Sequence, residues 1–316
     1  MYSLIVVTGP TAVGKTDLCA TLAEHYSVPI INADSRQIFS EMMIGTATPD
    51  KALTSRIKHY KVGELHLGEY YNASMYEQDV LAIISDLSAS ATQHHLASPL
   101  PIAILTGGSM MYIDAVCNGI DDIPTIDSTL RKQIQQKLEQ EGLEAIYKEL
   151  EVLDPDYCQI VDKKNVRRVV HGLEVCLQSG QTYTSFRNNT KKKRPFNIIK
   201  IGLTLPRDEL YARINRRVDL MMQQGLLEEA RRLYPYRHFN SLNTVGYKEL
   251  FAHFDGEYTV EEAVERIKGN TRKYARKQLT WFKRDPSIRW FSPSDRDGII
   301  QHINTQCNGT DNNRQA

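Results

Sequence analysis

Short apolar runs recur along the chain and alternate with longer segments of helical periodicity. The runs cover residues 3–8, 28–32, 102–105 and 198–205, and a glycine or polar residues follow the first three. Residues 14–26 place large apolar side chains four positions apart, which predicts an amphipathic helix. Strands that alternate with helices predict an α/β fold, in which helices flank a parallel sheet and polar loops follow the carboxyl ends of its strands.

A long stretch in the middle of the chain lacks this alternation. Residues 121–194 have helical spacing, many charges and no convincing strand, which predicts an all-helical insertion domain. The α/β core would then consist of residues 1–120 and 195–300, with mostly helices in its later part. Residues 303–316 are polar and rich in asparagine, and we expect them to form a disordered tail.

Composition limits the environment of the protein. The 316 residues carry a net charge of +1, so binding to nucleic acid would depend on local clusters of basic residues. The five cysteines lack the spacing of zinc sites or of a disulfide framework, which favours a reducing, cytoplasmic location. The apolar residues 4–7 are too few to span a membrane and have no basic leader. We therefore expect no membrane partner, and we expect a monomer.

A phosphate-binding loop is the most specific motif of the sequence. Its pattern, G-x-x-x-x-G-K-[ST], follows a predicted strand and opens a predicted helix, as a P-loop requires. The free amides of the helix N-terminus and the lysine would hold a diphosphate or a nucleotide such as ATP, and the final hydroxyl can contact Mg²⁺. The loop consists of Gly9, Pro10, Thr11, Ala12, Val13, Gly14, Lys15 and Thr16.

The loop alone leaves several activities open. A signalling GTPase is disfavoured because the sequence contains no N-K-x-D element to read guanine. A small-molecule kinase of the P-loop NTPase class and an RNA-binding ATPase both remain alternatives. Asp34 ends the second predicted strand, where a carboxylate can hold Mg²⁺, position a substrate or act as a general base. Asp34 could equally be the N-cap of a helix.

Residues 263–284 predict a long helix with a basic face. At about 100° per residue, its basic and apolar side chains fall on opposite halves. The basic half suits an RNA backbone, although a solvated surface helix is the alternative, and the aromatic residues Tyr274 and Trp281 are predicted to lie in the core. The basic residues are Lys268, Arg272, Lys273, Arg276, Lys277, Lys283 and Arg284.

Beyond the P-loop, a series of further motifs stands at residues 32–37, 44–47, 107–109, 165–169, 173–175, 245–247 and 276–281. In this order along the chain, these motifs resemble those of the bacterial tRNA dimethylallyltransferases. The resemblance implies transfer of a dimethylallyl group from its diphosphate to the exocyclic amine of the adenosine 3′ of the anticodon. It spans about residues 5–285 and implies Mg²⁺ as the cofactor, with the tRNA anticodon stem-loop and dimethylallyl diphosphate as partners.

The resemblance also implies roles for individual residues. The P-loop would hold the leaving diphosphate, with Thr16 as a contact of Mg²⁺. Asp34 would accept a proton from the attacking amine, and Arg217, or Arg216 beside it, would reach the diphosphate. Together with the basic segments it implies tRNA contacts by Asp34, Ser35, Arg36, Gln37, Ser109, Arg131, Arg167, Arg168, His171, Arg272, Arg276 and Lys277.

Overall fold

The computed structural model describes residues 2–93, 100–188 and 190–312. Within these ranges it contains six β-strands and thirteen α-helices. The strands are β1 Ser3–Thr8, β2 Ile30–Asn32, β3 His59–Tyr60, β4 Ile102–Thr106, β5 Asn197–Leu203 and β6 Arg289–Phe291.

The helices account for most of the remaining residues. None of those in the described ranges is long and apolar enough to cross a membrane. They are α1 Lys15–Tyr26, α2 Lys51–Arg56, α3 Ala73–Gln93, α4 Met110–Asn118, α5 Ser128–Leu153, α6 Pro155–Ile160, α7 Val166–Ser179, α8 Tyr183–Phe186, α9 Arg207–Gln223, α10 Leu226–Leu233, α11 Tyr247–Phe254, α12 Val260–Phe282 and α13 Arg296–Asn312.

One parallel sheet contains all six strands, in the order β3-β2-β4-β1-β5-β6. Side chains of β1 alternate between two buried clusters, Ile5 and Val7 in one and Leu4 and Val6 in the other. A strand buried on both faces explains the continuous apolar run in the sequence. The predicted α/β fold is therefore confirmed. The sequence did not reveal β3 and β6, because edge strands of two and three residues are too short to form an apolar run.

The chain divides into two compact units. One consists of residues 1–117 and 194–316, and the other of residues 118–193. The second unit contains helices α5 to α8 and has a hydrophobic core of its own, which includes Ile146, Leu150 and Leu173. Each unit therefore has a hydrophobic core of its own.

The end of the chain corrects a prediction. Residues 303–312 belong to α13 and are not a disordered tail, while residues 313–316 lie outside the described residues. Ile299, Ile303 and Cys307 are buried against the core that contains β1 and β5. These three side chains are four positions apart, as on one face of a helix. The polar composition around them concealed this sparse stripe.

Candidate active site

Three loops meet at the carboxyl edge of the sheet. The P-loop follows β1, residues 107–109 follow β4, and residues 33–37 follow β2. Because β4 lies between β1 and β2, its loop lies between the other two. Ligands of open parallel sheets bind at this edge, so the strand order alone marks it as the candidate active site.

The P-loop has a backbone that few side chains tolerate. Gly9 has φ 142° and Gly14 has φ 107°, and α1 begins directly after Gly14. A Cβ on Gly9 would lie 2.7 Å from the carbonyl oxygen of Leu203, so the loop packs against the neighbouring strand. The Lys15 Nζ donates hydrogen bonds of 2.9 Å to the carbonyl oxygens of Gly9 and Pro10. The lysine therefore folds back over its own loop, where it can meet a phosphate.

Three charged side chains share this edge of the sheet. Burial, and after it the positive charge of Arg217, lower the pKa of Lys15 to about 8, while the charge of Asp34 opposes the change. Burial likewise lowers the pKa of Arg217, again with Asp34 opposing. The charges of Arg217 and Asp34 act on Lys15, and the charge of Asp34 acts on Arg217, so the structure brings these three side chains near one another. Its neighbour Arg216 is exposed on α9, which favours Arg217 of the two predicted candidates.

Asp34 is held by its own turn and by the loop after β4. Its Oδ1 accepts a 2.9 Å hydrogen bond from the amide of Arg36. The Ser109 amide donates to the carbonyl of Ala33 at 3.0 Å, and the Ser109 Oγ accepts from the Ser35 amide at 2.7 Å. No helix begins here, because residues 35–38 form turns and α2 starts only at residue 51. The N-cap alternative for Asp34 is therefore wrong.

Two side chains of α12 contact the loops of this site, and the sequence did not predict these contacts. Gln278 is fully buried, and its Oε1 accepts from the Thr11 amide at 2.9 Å. Its Nε2 donates to the carbonyl of Gly108 at 2.9 Å, and the Tyr274 hydroxyl donates to the same oxygen at 3.2 Å. Tyr274 is 38% exposed, so its prediction as a core residue is wrong. Although the residue is partly exposed, its hydroxyl lies against the loop after β4, and the burial of that end raises the pKa of Tyr274 to about 12, with the charge of Asp34 acting in the same direction.

A buried carboxylate anchors the segment that follows Gln37. Glu229, only 2% exposed, accepts hydrogen bonds from the amides of Met43, Ile44 and Gly45. The Tyr247 hydroxyl donates to it as well, at 2.7 Å. The Gln37 Nε2 donates to the carbonyls of residues 46 and 47, so this side chain also helps to hold the segment.

The basic face of α12 is only partly available to a ligand. Lys268 pairs with Asp219 and Glu265 and is 13% exposed at its side chain. Arg272 donates to the Asn215 side chain, and Arg276 donates to the Tyr211 hydroxyl at 2.9 Å. Lys273, Arg276 and Lys277 are exposed. Because α12 ends at Phe282, Lys283 and Arg284 lie beyond the predicted helical face.

Trp281 projects from α12 onto the hydrophobic core. Its Nε1 donates to the Asp114 carboxylate at 2.8 Å, and its ring packs against the core cluster that contains Leu4. It is only partly buried in that position. The Trp281 side chain is thus a packing residue with one satisfied polar atom.

The remaining predicted tRNA contacts lie in the second unit. Arg167 and Arg168 are exposed in the first turn of α7. Arg131 and His171 both face the buried carboxylate of Glu174, with N···O distances of 3.4 and 3.5 Å. Arg131 and His171 keep about 40% of their side chains exposed, at 39% and 41%. Both can therefore serve the fold and still reach a ligand.

The residues at the P-loop fit a magnesium ion that a diphosphate carries. Mg²⁺ prefers oxygen ligands and is usually held by one or two protein groups together with phosphates. Thr16 presents an exposed hydroxyl in the first turn of α1, and Asp34 supplies a carboxylate at the same edge of the sheet. The described residues contain no cluster of three or more His, Cys, Asp or Glu that could hold a metal alone.

Known proteins are similar in sequence to this chain along nearly its whole length. The model of the IPP transferase family matches residues 37–285. The chain is 56% identical over 303 residues to tRNA dimethylallyltransferase 1 of Phocaeicola vulgatus, which covers 96% of this chain and 98% of the relative. It is 53% identical over 306 residues to tRNA dimethylallyltransferase 2 of Parabacteroides distasonis, with 97% and 99% covered.

Solved structures share the fold. The full-length tRNA isopentenylpyrophosphate transferase of Bacillus halodurans superposes with a TM-score of 0.71 at 29% identity and covers 99% of both chains. A eukaryotic dimethylallyltransferase acting on tRNA superposes with a TM-score of 0.77 at 24% identity, over 93% of this chain and 75% of that one. The second likeness concerns the fold alone. From the family model and from relatives of such high identity, we conclude that this chain belongs to the IPP transferase family.

Proposed function

We propose that this enzyme transfers a dimethylallyl group from dimethylallyl diphosphate to the exocyclic amine of the adenosine 3′ of the anticodon in tRNA. The observation that carries the proposal is the meeting of a P-loop, Lys15 and Arg217 with one carboxylate, Asp34. A phosphate-binding site beside a proton acceptor suits a reaction in which a diphosphate leaves and an amine attacks. Membership of the IPP transferase family favours this reaction over phosphoryl transfer.

Each group has a defined part in the reaction. The P-loop amides, Lys15 and Arg217 stabilise the negative charge that develops on the diphosphate as the allylic C–O bond breaks. The adenosine amine forms the new C–N bond, and Asp34 takes the proton that the amine loses. Diphosphate leaves with the bonding electrons of the C–O bond. A magnesium ion held by the diphosphate and Thr16 would supply further positive charge to the leaving group.

Exposed basic side chains support tRNA as the acceptor. Arg276 and Lys277 on α12 and Arg167 and Arg168 on α7 can contact phosphates, which position a nucleic acid without reading its sequence. The target base must leave its stack to reach a residue at a sheet edge. Ser35 and Arg36 follow Asp34 directly, and Ser109 is hydrogen-bonded to Ser35. In this proposal these three side chains contact the extruded base.

The test combines nucleoside mass spectrometry with one substitution. Incubation of tRNA with the protein, dimethylallyl diphosphate and Mg²⁺ should add one dimethylallyl group to adenosine. Asp34→Asn keeps the oxygen that accepts from Arg36 but cannot take a proton, so transfer should fall by about 10²- to 10⁴-fold while tRNA still binds. Asp86→Asn, an exposed position on α3, is the matched control.

Four results would contradict parts of this proposal. The absence of mass gain with the wild-type protein refutes dimethylallyl transfer. Wild-type turnover by Asp34→Asn excludes Asp34 as the base. Transfer of phosphate from ATP to a small nucleotide, without modification of tRNA, would favour the kinase, and RNA-stimulated ATP hydrolysis would favour the RNA-binding ATPase.

A further inference from the structure

The Gln278 side chain is the direct link between two loops of the candidate active site. It is fully buried, and its amide offers one acceptor oxygen and two donor hydrogens. The oxygen accepts from the Thr11 amide of the P-loop at 2.9 Å, and the nitrogen donates to the Gly108 carbonyl at 2.9 Å. One side chain from α12 therefore joins the loop after β1 to the loop after β4.

The loop after β4 is in turn packed tightly onto the backbone around Asp34. A Cβ on Gly107 would lie 2.1 Å from the carbonyl carbon of Ala33, so no side chain fits between these backbones. A Cβ on Gly108 would lie 2.8 Å from the Gln278 Nε2 and 3.3 Å from the Asp34 Oδ2. Gln278, Gly108 and Asp34 thus meet at one point. Hydrogen bonds run from the P-loop through Gln278 to Gly108, and the bond from the Ser109 amide to the Ala33 carbonyl joins the same loop to the backbone beside Asp34.

We propose that Gln278 is a positioning residue that fixes the distance between the P-loop and Asp34. The inference rests on the proposed function, in which the P-loop holds the leaving diphosphate and Asp34 receives the proton. The reacting carbon must lie between these two groups, and a misplacement of about 1 Å can lower a rate by about 100-fold. Gln278 itself contacts neither reacting atom and acts through the two loops.

The amide of Gln278 has the chemistry that this role needs. One end must accept from an N–H and the other must donate to a carbonyl, and an ionised glutamate can only accept. A protonated glutamate can do both, since it has one hydroxyl donor and one carbonyl acceptor. Gln278→Glu should therefore restore the link only when the introduced carboxyl is protonated, and burial will raise its pKa.

The experiment measures single-turnover rates at saturating tRNA and donor across pH. We expect Gln278→Met to lower the rate by about 100-fold, with both substrates still bound. The rate of Gln278→Glu relative to wild type should be highest at low pH and should fall as pH rises. Taking this ratio removes the pH dependence of the substrates and of groups far from residue 278, which both proteins share. Gln301→Glu, at an exposed position on α13, should match the wild type throughout.

Hydrogen exchange supplies a readout that does not depend on turnover. The Thr11 amide should exchange faster in Gln278→Met than in wild type, and so should the amides of Ser35 and Ser109. Rates of both Gln278 variants within threefold of wild type, or a pH-independent ratio for Gln278→Glu, would overturn the proposal. If Gln278→Met fails to fold, the pH dependence of the rate of Gln278→Glu relative to wild type still tests the proposal. If the wild-type protein transfers no prenyl group, the proposed function fails, while unchanged exchange of Thr11 would still refute the link.

Discussion

Raising the pH should remove the charge of Lys15 and with it the affinity for the donor diphosphate. Burial and the nearby Arg217 lower the pKa of Lys15 from 10.5 to about 8, and Asp34 only partly offsets them. At about 1.4 kcal/mol per pKa unit, this difference means that the site disfavours the charged lysine by about 3 kcal/mol when no phosphate is bound. A bound diphosphate reverses that preference, because its negative charge stabilises the ammonium group.

The direction of this pH effect follows from the form of Lys15 that binds the diphosphate, which is the protonated one. Below about pH 8 the lysine of the free enzyme is protonated and can bind the diphosphate, and above that value it is increasingly neutral. The kcat/KM for the donor reports groups of the free enzyme, so it should fall about tenfold per pH unit above the pKa. The kcat, which reports the complex, should decline only at a higher pH.

The assay is the initial rate of tRNA prenylation at limiting donor and saturating tRNA, between about pH 6 and about pH 10. Lys15→Arg should have a lower plateau but no decline near pH 8, because a guanidinium stays charged throughout this range. Lys51→Arg, at an exposed position on α2, should reproduce the wild-type profile. A flat wild-type profile, or a decline near pH 8 that persists in Lys15→Arg, would refute this account of the lysine.

Four further predictions concern the parts that support the site. Glu229→Gln should cost about 1–3 kcal/mol in unfolding free energy, because a donor would then face backbone amides, and thermal melts beside the exposed control Glu228→Gln measure it. Gly107→Ala should abolish transfer, since its Cβ would lie 2.1 Å from neighbouring backbone, and retained prenylation by this variant would contradict that reasoning. Gly269→Ala should stabilise α12 by about 0.5–1 kcal/mol, and a melting temperature equal to wild type would contradict that gain. Arg276→Ala should lower the slope of log affinity for tRNA against log salt by about 1, and an unchanged slope would exclude a phosphate contact there.

The parts of the site that the sequence could predict are local in the chain. The P-loop is a run of consecutive residues, and its sequence pattern alone predicts the shape of its backbone. Asp34 closely follows an apolar strand. The choice of Arg217 over Arg216 was also accessible in principle. Leu210, Ile214 and Val218 form the buried stripe of α9, and residue 217 lies beside that stripe while residue 216 lies away from it.

Other parts depend on contacts between distant residues. Gln278 and Gly108 are far apart in sequence, and a glutamine within a basic segment has no local pattern that indicates a buried link. The helical pattern predicts Tyr274 in the core because this residue lies on the apolar half of the helix, but the surface that it faces is the loop after β4. The order of the strands decides which loops become neighbours, and single-strand patterns do not contain that order.

The strand order has a consequence for the way in which the chain must fold. Of the six strands, β1 is synthesised first, yet its two neighbours in the sheet are β4 and β5. Ser3 can pair with Ile102 on one side and with Asn197 on the other only after those later residues have been synthesised. The helices α5 and α7 contact each other within one continuous segment that is synthesised before β5. Contacts that are local in sequence form faster than distant ones. The helical unit can therefore fold on the ribosome while the central strand of the sheet still lacks one of its partners, which makes completion of the phosphate-binding edge a late event.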